Sequence, residues 1–127
     1  FIEQEAPAIA MLRAMVPDAV QTTLEGAPDG HFAAVFALDS LEHNQAFGEL
    51  LDALAPKLAP GGVLVLSGPT ENGLYRLGRK IARFDAHYHE TNIHAIEARA
   101  EERYTRVQVR TVPLGVPLFR LSVWTAR

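Results

Sequence analysis

Residues 32–44, FAAVFALDSLEHN, and residues 58–72, LAPGGVLVLSGPTEN, decide the fold. Each holds an apolar run, 32–38 and 63–66, that does not alternate with polar residues. A strand apolar on both faces belongs inside a parallel sheet covered by helices. Between the runs, Phe47, Leu50, Leu51, Leu54 and Leu58 recur at helical spacing and form one stripe. Asn44 is placed to cap that helix. Pro56 lacks an amide hydrogen and crowds the carbonyl four residues back, so regular helix should end near it. Pro60-Gly61-Gly62 then turns the chain into the second strand. Strand, helix, strand at this spacing predicts a right-handed crossover.

Upstream, residues 4–16 predict a short helix with Ile9, Leu12 and Val16 on one side, ended by Pro17-Asp18. Residues 20–24 are rich in β-formers and predict a short strand. The turn GAPDG follows at 26–30. Downstream, Thr70 is placed to cap a helix over 71–84 with Leu74, Leu77, Ile81 and Phe84 as its stripe. A third helix is expected over 92–104, capped by Thr91 or Asn92, with Ile93, Ile96, Ala100 and Tyr104 inward. Residues 107–112 and 118–125 alternate, and the PLGVP between them reads as a hairpin connection. The chain is therefore read as one α/β domain over 1–127, mostly parallel, closing in an antiparallel hairpin.

A net charge of −3 gives no sign of nucleic-acid binding. The absence of cysteine removes disulfides and thiolate chemistry and fits a cytoplasmic protein. No apolar run approaches the roughly 20 residues that span a bilayer. The sequence opens with FIEQEAPAIA, acidic where a secretion signal is basic and without an initiator Met. We expect a processed product or a piece of something longer.

In open α/β sheets, ligands bind beyond the carboxyl ends of the parallel strands. Asp39 and His43 stand after the first apolar run, and Ser67 to Thr70 end the second. Asp39 would accept hydrogen bonds from ammonium or hydroxyl groups, and His43 would serve as a general base. The plainer alternative is that Asp39 and Glu42 lead into a helix and favour its positive end. His87, His89, Glu90 and His94 lie close in sequence, but a loop entering the third helix explains them and no metal is assigned. Arg76, Arg79, Lys80 and Arg83 fall on one helix side. That side reads as a solvated face, with an anionic acceptor or a membrane surface as the alternative.

FAAVFALDSLEHN, an amphipathic helix and then LAPGGVLVLSGPTEN together resemble the class I S-adenosylmethionine-dependent methyltransferases. The nearest subgroup is the small-molecule kind (type 11/12) with a Leu-Glu-His turn after its fourth strand. The resemblance covers residues 20–127 and makes the closing hairpin the sixth and seventh strands, the seventh inserted beside the fifth. It implies a Rossmann-like sheet, S-adenosylmethionine as cofactor, and a small-molecule, lipid or sugar-linked acceptor. It places Ala37, Leu38 and Asp39 along the cofactor's methionine, and Leu24 and Glu25 near its adenine. It gives Tyr75, His87, Tyr88 and His89 to the acceptor pocket, and it leaves His43 as the base where one is needed.

The family's first strand and Gly-x-Gly loop have no counterpart, since none of the nine glycines has that spacing. Nor is the acidic residue that ends the second strand assigned, because Glu3 stands too near the start of the sequence. Without the first strands, the edge of strand 32–38 would have unpaired backbone groups, so another segment or a second chain, in a dimer or a swapped arrangement, is expected to cover it. A catalytically inactive scaffold or partner subunit is the alternative function.

Overall fold

The computed structural model describes residues 1–3, 5–70, 73, 91–113 and 117–127. The elements are α1 (Ala6–Met15), β1 (Phe32–Leu38), α2 (Phe47–Leu54), β2 (Leu58–Pro69), α3 (Ile93–Ala100), β3 (Tyr104–Val112) and β4 (Phe119–Ala126). Strand order in the sheet is β1-β2-β4-β3. β1 and β2 run parallel, in register from Ala34 opposite Val63 to Leu38 opposite Ser67. β4 lies antiparallel to both β2 and β3. The last strand thus inserts between its predecessor and the parallel pair, as expected.

The expected α2 stripe packs on this sheet. Leu51 and Leu58 are buried, and Phe47, Leu50 and Leu54 pack against the same cluster. Regular helix stops at Leu54 and a single 3₁₀ turn, Ala55–Lys57, carries Pro56. Asn44 acts one turn early: its Oδ1 accepts from the Ala46 amide at 2.8 Å. α3 covers the same sheet face, with Ile93, Ile96 and Ala100 buried. Asn92 caps it, accepting from the Ala95 amide at 3.1 Å. The helix is shorter than expected, and Tyr104, inward as expected, begins β3 instead.

Leu64 and Leu66 of β2 and Trp124 of β4 complete the core. Gly68 packs closely there: a Cβ on it would lie 3.3 Å from the Ile93 Cβ, so Ile93 would have to give by a few tenths of an ångström. The Pro60-Gly61-Gly62 segment lies within β2, where pairing with β1 shifts between Phe32 and Ala34. A Cβ at Gly62 would lie 2.7 Å from the Phe32 carbonyl oxygen, so only glycine lets the strands approach this closely.

Tyr104 ties α2 to the sheet: its hydroxyl donates to the Leu51 carbonyl at 2.6 Å. Burial, and then the negative charge of Asp52, push its phenol from 10.0 up to about 12. The folded value lies above the unfolded one, so this contribution is complete below pH 10 and is lost as pH rises toward 12. Wild type should therefore lose roughly 2–3 kcal/mol of stability across that window from this residue. Tyr104→Phe should cost about 1 kcal/mol at pH 7 and flatten the alkaline loss. Urea titrations at stepped pH would show both effects; equal alkaline slopes would contradict them.

Two expectations fail. Residues 20–24 form no strand, although Val20 and Thr22 bond to Phe1. β-propensity needs a neighbouring strand to act through, and among the described residues this segment's ladder-type backbone bonds run to Phe1 alone. α1 has no buried residue, and Val16 is 52% exposed, because no described element covers its apolar side. The helix that Thr70 is expected to cap lies outside the described residues. Its hydroxyl donates to the Pro117 carbonyl at 2.5 Å and its amide to the Leu118 carbonyl, which ties it to the start of β4.

Candidate functional site

The carboxyl ends of β1 and β2 lie side by side. The Asp39 amide donates to the Ser67 carbonyl at 3.1 Å. The Ser67 hydroxyl donates to Asp39 Oδ2 at 3.4 Å. Asp39 has φ of 47°, in the left-handed region, the one non-glycine residue so placed among the described residues. Asp tolerates that conformation better than most residues. The chain therefore turns sharply off β1 and leaves the Asp39 carboxylate exposed at the strand end.

A 3₁₀ turn, Leu41–His43, follows. Leu41 enters the core, and Glu42 is 1% exposed. Glu42 is thus a buried carboxylate in the first turn of the 3₁₀ element that leads toward α2. His43 Nε2 lies 3.9 Å from Glu42 Oε1, and 44% of the His43 side chain is exposed. An exposed imidazole beside a buried carboxylate is able to accept or pass a proton at the ligand edge.

The other expected site residues separate into three groups. Ala37 belongs to the core cluster, so the ligand edge receives its backbone and not its methyl group. Leu38 points to the opposite face and is 48% exposed. Leu24 and Glu25 start the turn before β1, and among the described residues no hydrogen bond links either to Leu38 or Asp39. Tyr75, His87, Tyr88, His89 and the helix over 71–84 lie outside the described residues. His94 is exposed on α3.

One feature was missed in the sequence. The Phe1 ammonium donates to the Val20 carbonyl at 2.7 Å, and the Thr22 amide donates to the Phe1 carbonyl at 3.0 Å. That pattern is a parallel bridge between Phe1 and Gln21. Glu3 follows that single bridge by two residues, and Leu24-Glu25 begin the turn after Gln21 on the other segment. Glu3 Oε1 accepts from the Glu5 amide at 2.9 Å, and the Gln21 side-chain amide donates to the Glu3 carbonyl at 3.3 Å. The signal was the apolar Phe1-Ile2 immediately before an acidic residue.

Two clefts among the described residues, of about 390 and 360 Å³, are elsewhere. They lie where β2 begins and β4 ends, lined in part by Pro56, Gly61, Arg103 and Arg127. Strand-end geometry is the better guide to a ligand here, because both clefts are open and carry no convergent acid–base pair.

No family model matches the sequence, and no curated protein matches it. Solved structures do match. A methyltransferase of Thermotoga maritima that depends on S-adenosylmethionine superposes with a TM-score of 0.75 at 15% identity, over 99% of this chain and 72% of its own. The N-methyltransferase NodS of Bradyrhizobium japonicum, in complex with S-adenosylhomocysteine, gives 0.71 at 15% identity, over 98% of this chain and 64% of its own.

The fold is the Rossmann-like methyltransferase fold.

A Pyrococcus horikoshii protein matches it too, with a TM-score of 0.74 at 14% identity over 99% of this chain and 70% of its own. In this Rossmann-like fold, the four described strands correspond to a parallel pair followed by the inserted hairpin. Among the described residues no helix is long and apolar enough to cross a membrane.

Proposed function

We propose that the carboxyl edge of β1 and β2 binds S-adenosylmethionine and that the protein takes part in methyl transfer to a small-molecule, lipid or sugar-linked acceptor. The observation that carries this reading is Asp39. It is an exposed carboxylate held in a left-handed backbone at the strand end where this fold takes ligands. The fold match to a methyltransferase holding S-adenosylhomocysteine supports it.

The residues fit one side of such a ligand. Asp39 is an acceptor for the methionine ammonium, and Leu38 offers half-exposed apolar surface beside it. Leu24 and Glu25 are assigned to the adenine. Glu3, which follows the Phe1–Gln21 bridge, is assigned to the ribose hydroxyls. Tyr75, His87, Tyr88 and His89 remain assigned to the acceptor. The bound cofactor supplies an electrophilic methyl group, and the chain's task is alignment and exclusion of water. His43 takes a proton only from an acceptor that must lose one.

The alternative reading is an inactive domain that supports a partner. Asp39→Asn separates the two, since it keeps tolerance of the left-handed backbone and removes the charge. Equilibrium dialysis with labelled S-adenosylhomocysteine should show affinity weakened about 3- to 10-fold in this variant. Unchanged binding would remove Asp39 from the site, and absence of binding by wild type would favour the support role.

A further inference from the structure

Ser67 is tied to Asp39 twice. Its carbonyl accepts from the Asp39 amide at 3.1 Å, and its hydroxyl donates to Asp39 Oδ2 at 3.4 Å. The second bond runs against the alternation of the strands. Leu38 stands opposite Ser67, so their side chains share one face of the sheet. Ala37 and Leu66, one position earlier on each strand, belong to the core, so the shared face is the one turned away from it. If β1 continued in extended form, the Asp39 side chain would follow Ala37 toward the core and miss the Ser67 hydroxyl. The φ of 47° at Asp39 breaks the alternation, and the carboxylate comes round to β2. Among the described residues no other side chain bonds to that carboxylate.

We propose that Ser67 is a positioning residue for the candidate site. Its carbonyl holds the turn at Asp39. Its hydroxyl fixes the side chain with Oδ2 toward β2 and leaves Oδ1 for the ligand's ammonium group. Neither group suffices alone. The carbonyl sets the backbone but not χ1, and the hydroxyl meets the carboxylate only once the backbone has turned. A carboxylate that already keeps one rotamer gives up less freedom when a ligand binds. The use of Asp39 as ammonium acceptor rests on the function proposed above; the orientation of its carboxylate does not.

Two measurements test this. In the isotope-labelled chain without ligand, scalar couplings from the Asp39 carboxyl carbon to its own backbone nitrogen and carbonyl carbon report χ1. They should be unequal in wild type and in Ser67→Thr, as one rotamer requires, and averaged in Ser67→Ala. By equilibrium dialysis, Ser67→Ala should weaken binding of S-adenosylhomocysteine about 2- to 5-fold, and Ser67→Thr less than about 2-fold. In an Asp39→Gly background, which tolerates the same turn, Ser67→Ala should change affinity no further. Couplings that stay unequal in Ser67→Ala, or the same loss of affinity with and without the Asp39 carboxylate, would overturn the role of Ser67. A wild type that binds no S-adenosylhomocysteine, while Ser67→Ala still averages the couplings, would overturn the methyl-donor reading and keep Ser67 as the group that orients Asp39.

Discussion

Trp124→Ala is expected to leave the chain largely unfolded at 37 °C. Trp124 is fully buried in β4, between Leu64 of the neighbouring β2 and Arg106 of β3. Its indole N–H donates to the Ser122 hydroxyl at 2.8 Å, and the Arg106 guanidinium sits 5.4 Å over its ring. Truncation removes the largest side chain of the core, leaves a cavity and takes the donor from buried Ser122. Such changes cost about 3–5 kcal/mol, against a total of about 5–15 for a domain. Trp124→Phe should keep most of the packing and lose about 1–2 kcal/mol. Thermal melts of the two variants would show the order; equal midpoints would mean that the β4 core is not what holds α3 to the sheet.

The second large effect lies next to it. Glu97 projects from α3 toward the sheet and is 3% exposed. Its Oε2 accepts from Arg120 Nε at 2.7 Å and from Arg106 Nη1 at 3.5 Å, while Oε1 has no partner among the described residues. Removing one member of a buried pair strands the other charge. Arg120→Ala should therefore cost about 2–4 kcal/mol, moderated because Arg106 remains. Combining it with Glu97→Leu should recover most of the loss, because the stranded carboxylate is then gone. A double variant as unstable as the single would show that Arg120 acts through packing and not through charge. Asp52, shared by Arg99 at 2.6 Å and Arg103 at 3.1 Å, is more exposed and should matter less.

The central βαβ unit was legible because its signals are local. The stripe from Phe47 to Leu58, the break at Pro56 and the two apolar runs each carry their own physical cause. The hairpin was legible from alternation. Residues 20–24 misled because β-formers do not make a strand without a neighbour, and only Phe1 provides one. The bonds from Thr70 to Pro117 and Leu118 had no local signal, because those partners are distant in sequence. In the candidate site, Asp39 was proposed from its position after a strand, but its left-handed backbone is invisible in the sequence. Ala37 was placed beside a ligand, yet strand alternation turns its side chain to the core. Glu3 was set aside by its position near residue 1, and only the parallel bridge of Phe1 shows where it stands.

The most direct test of the candidate site is an amide chemical-shift titration of the isotope-labelled chain with S-adenosylhomocysteine. Leu38, Asp39 and Ser67 are expected to shift first and together, with Glu3 following along the same binding curve. Shifts confined to the clefts around Pro56 and Arg127, or none at millimolar ligand (where even Kd of about 1 mM would show), would contradict a methyl-donor site at the ends of β1 and β2.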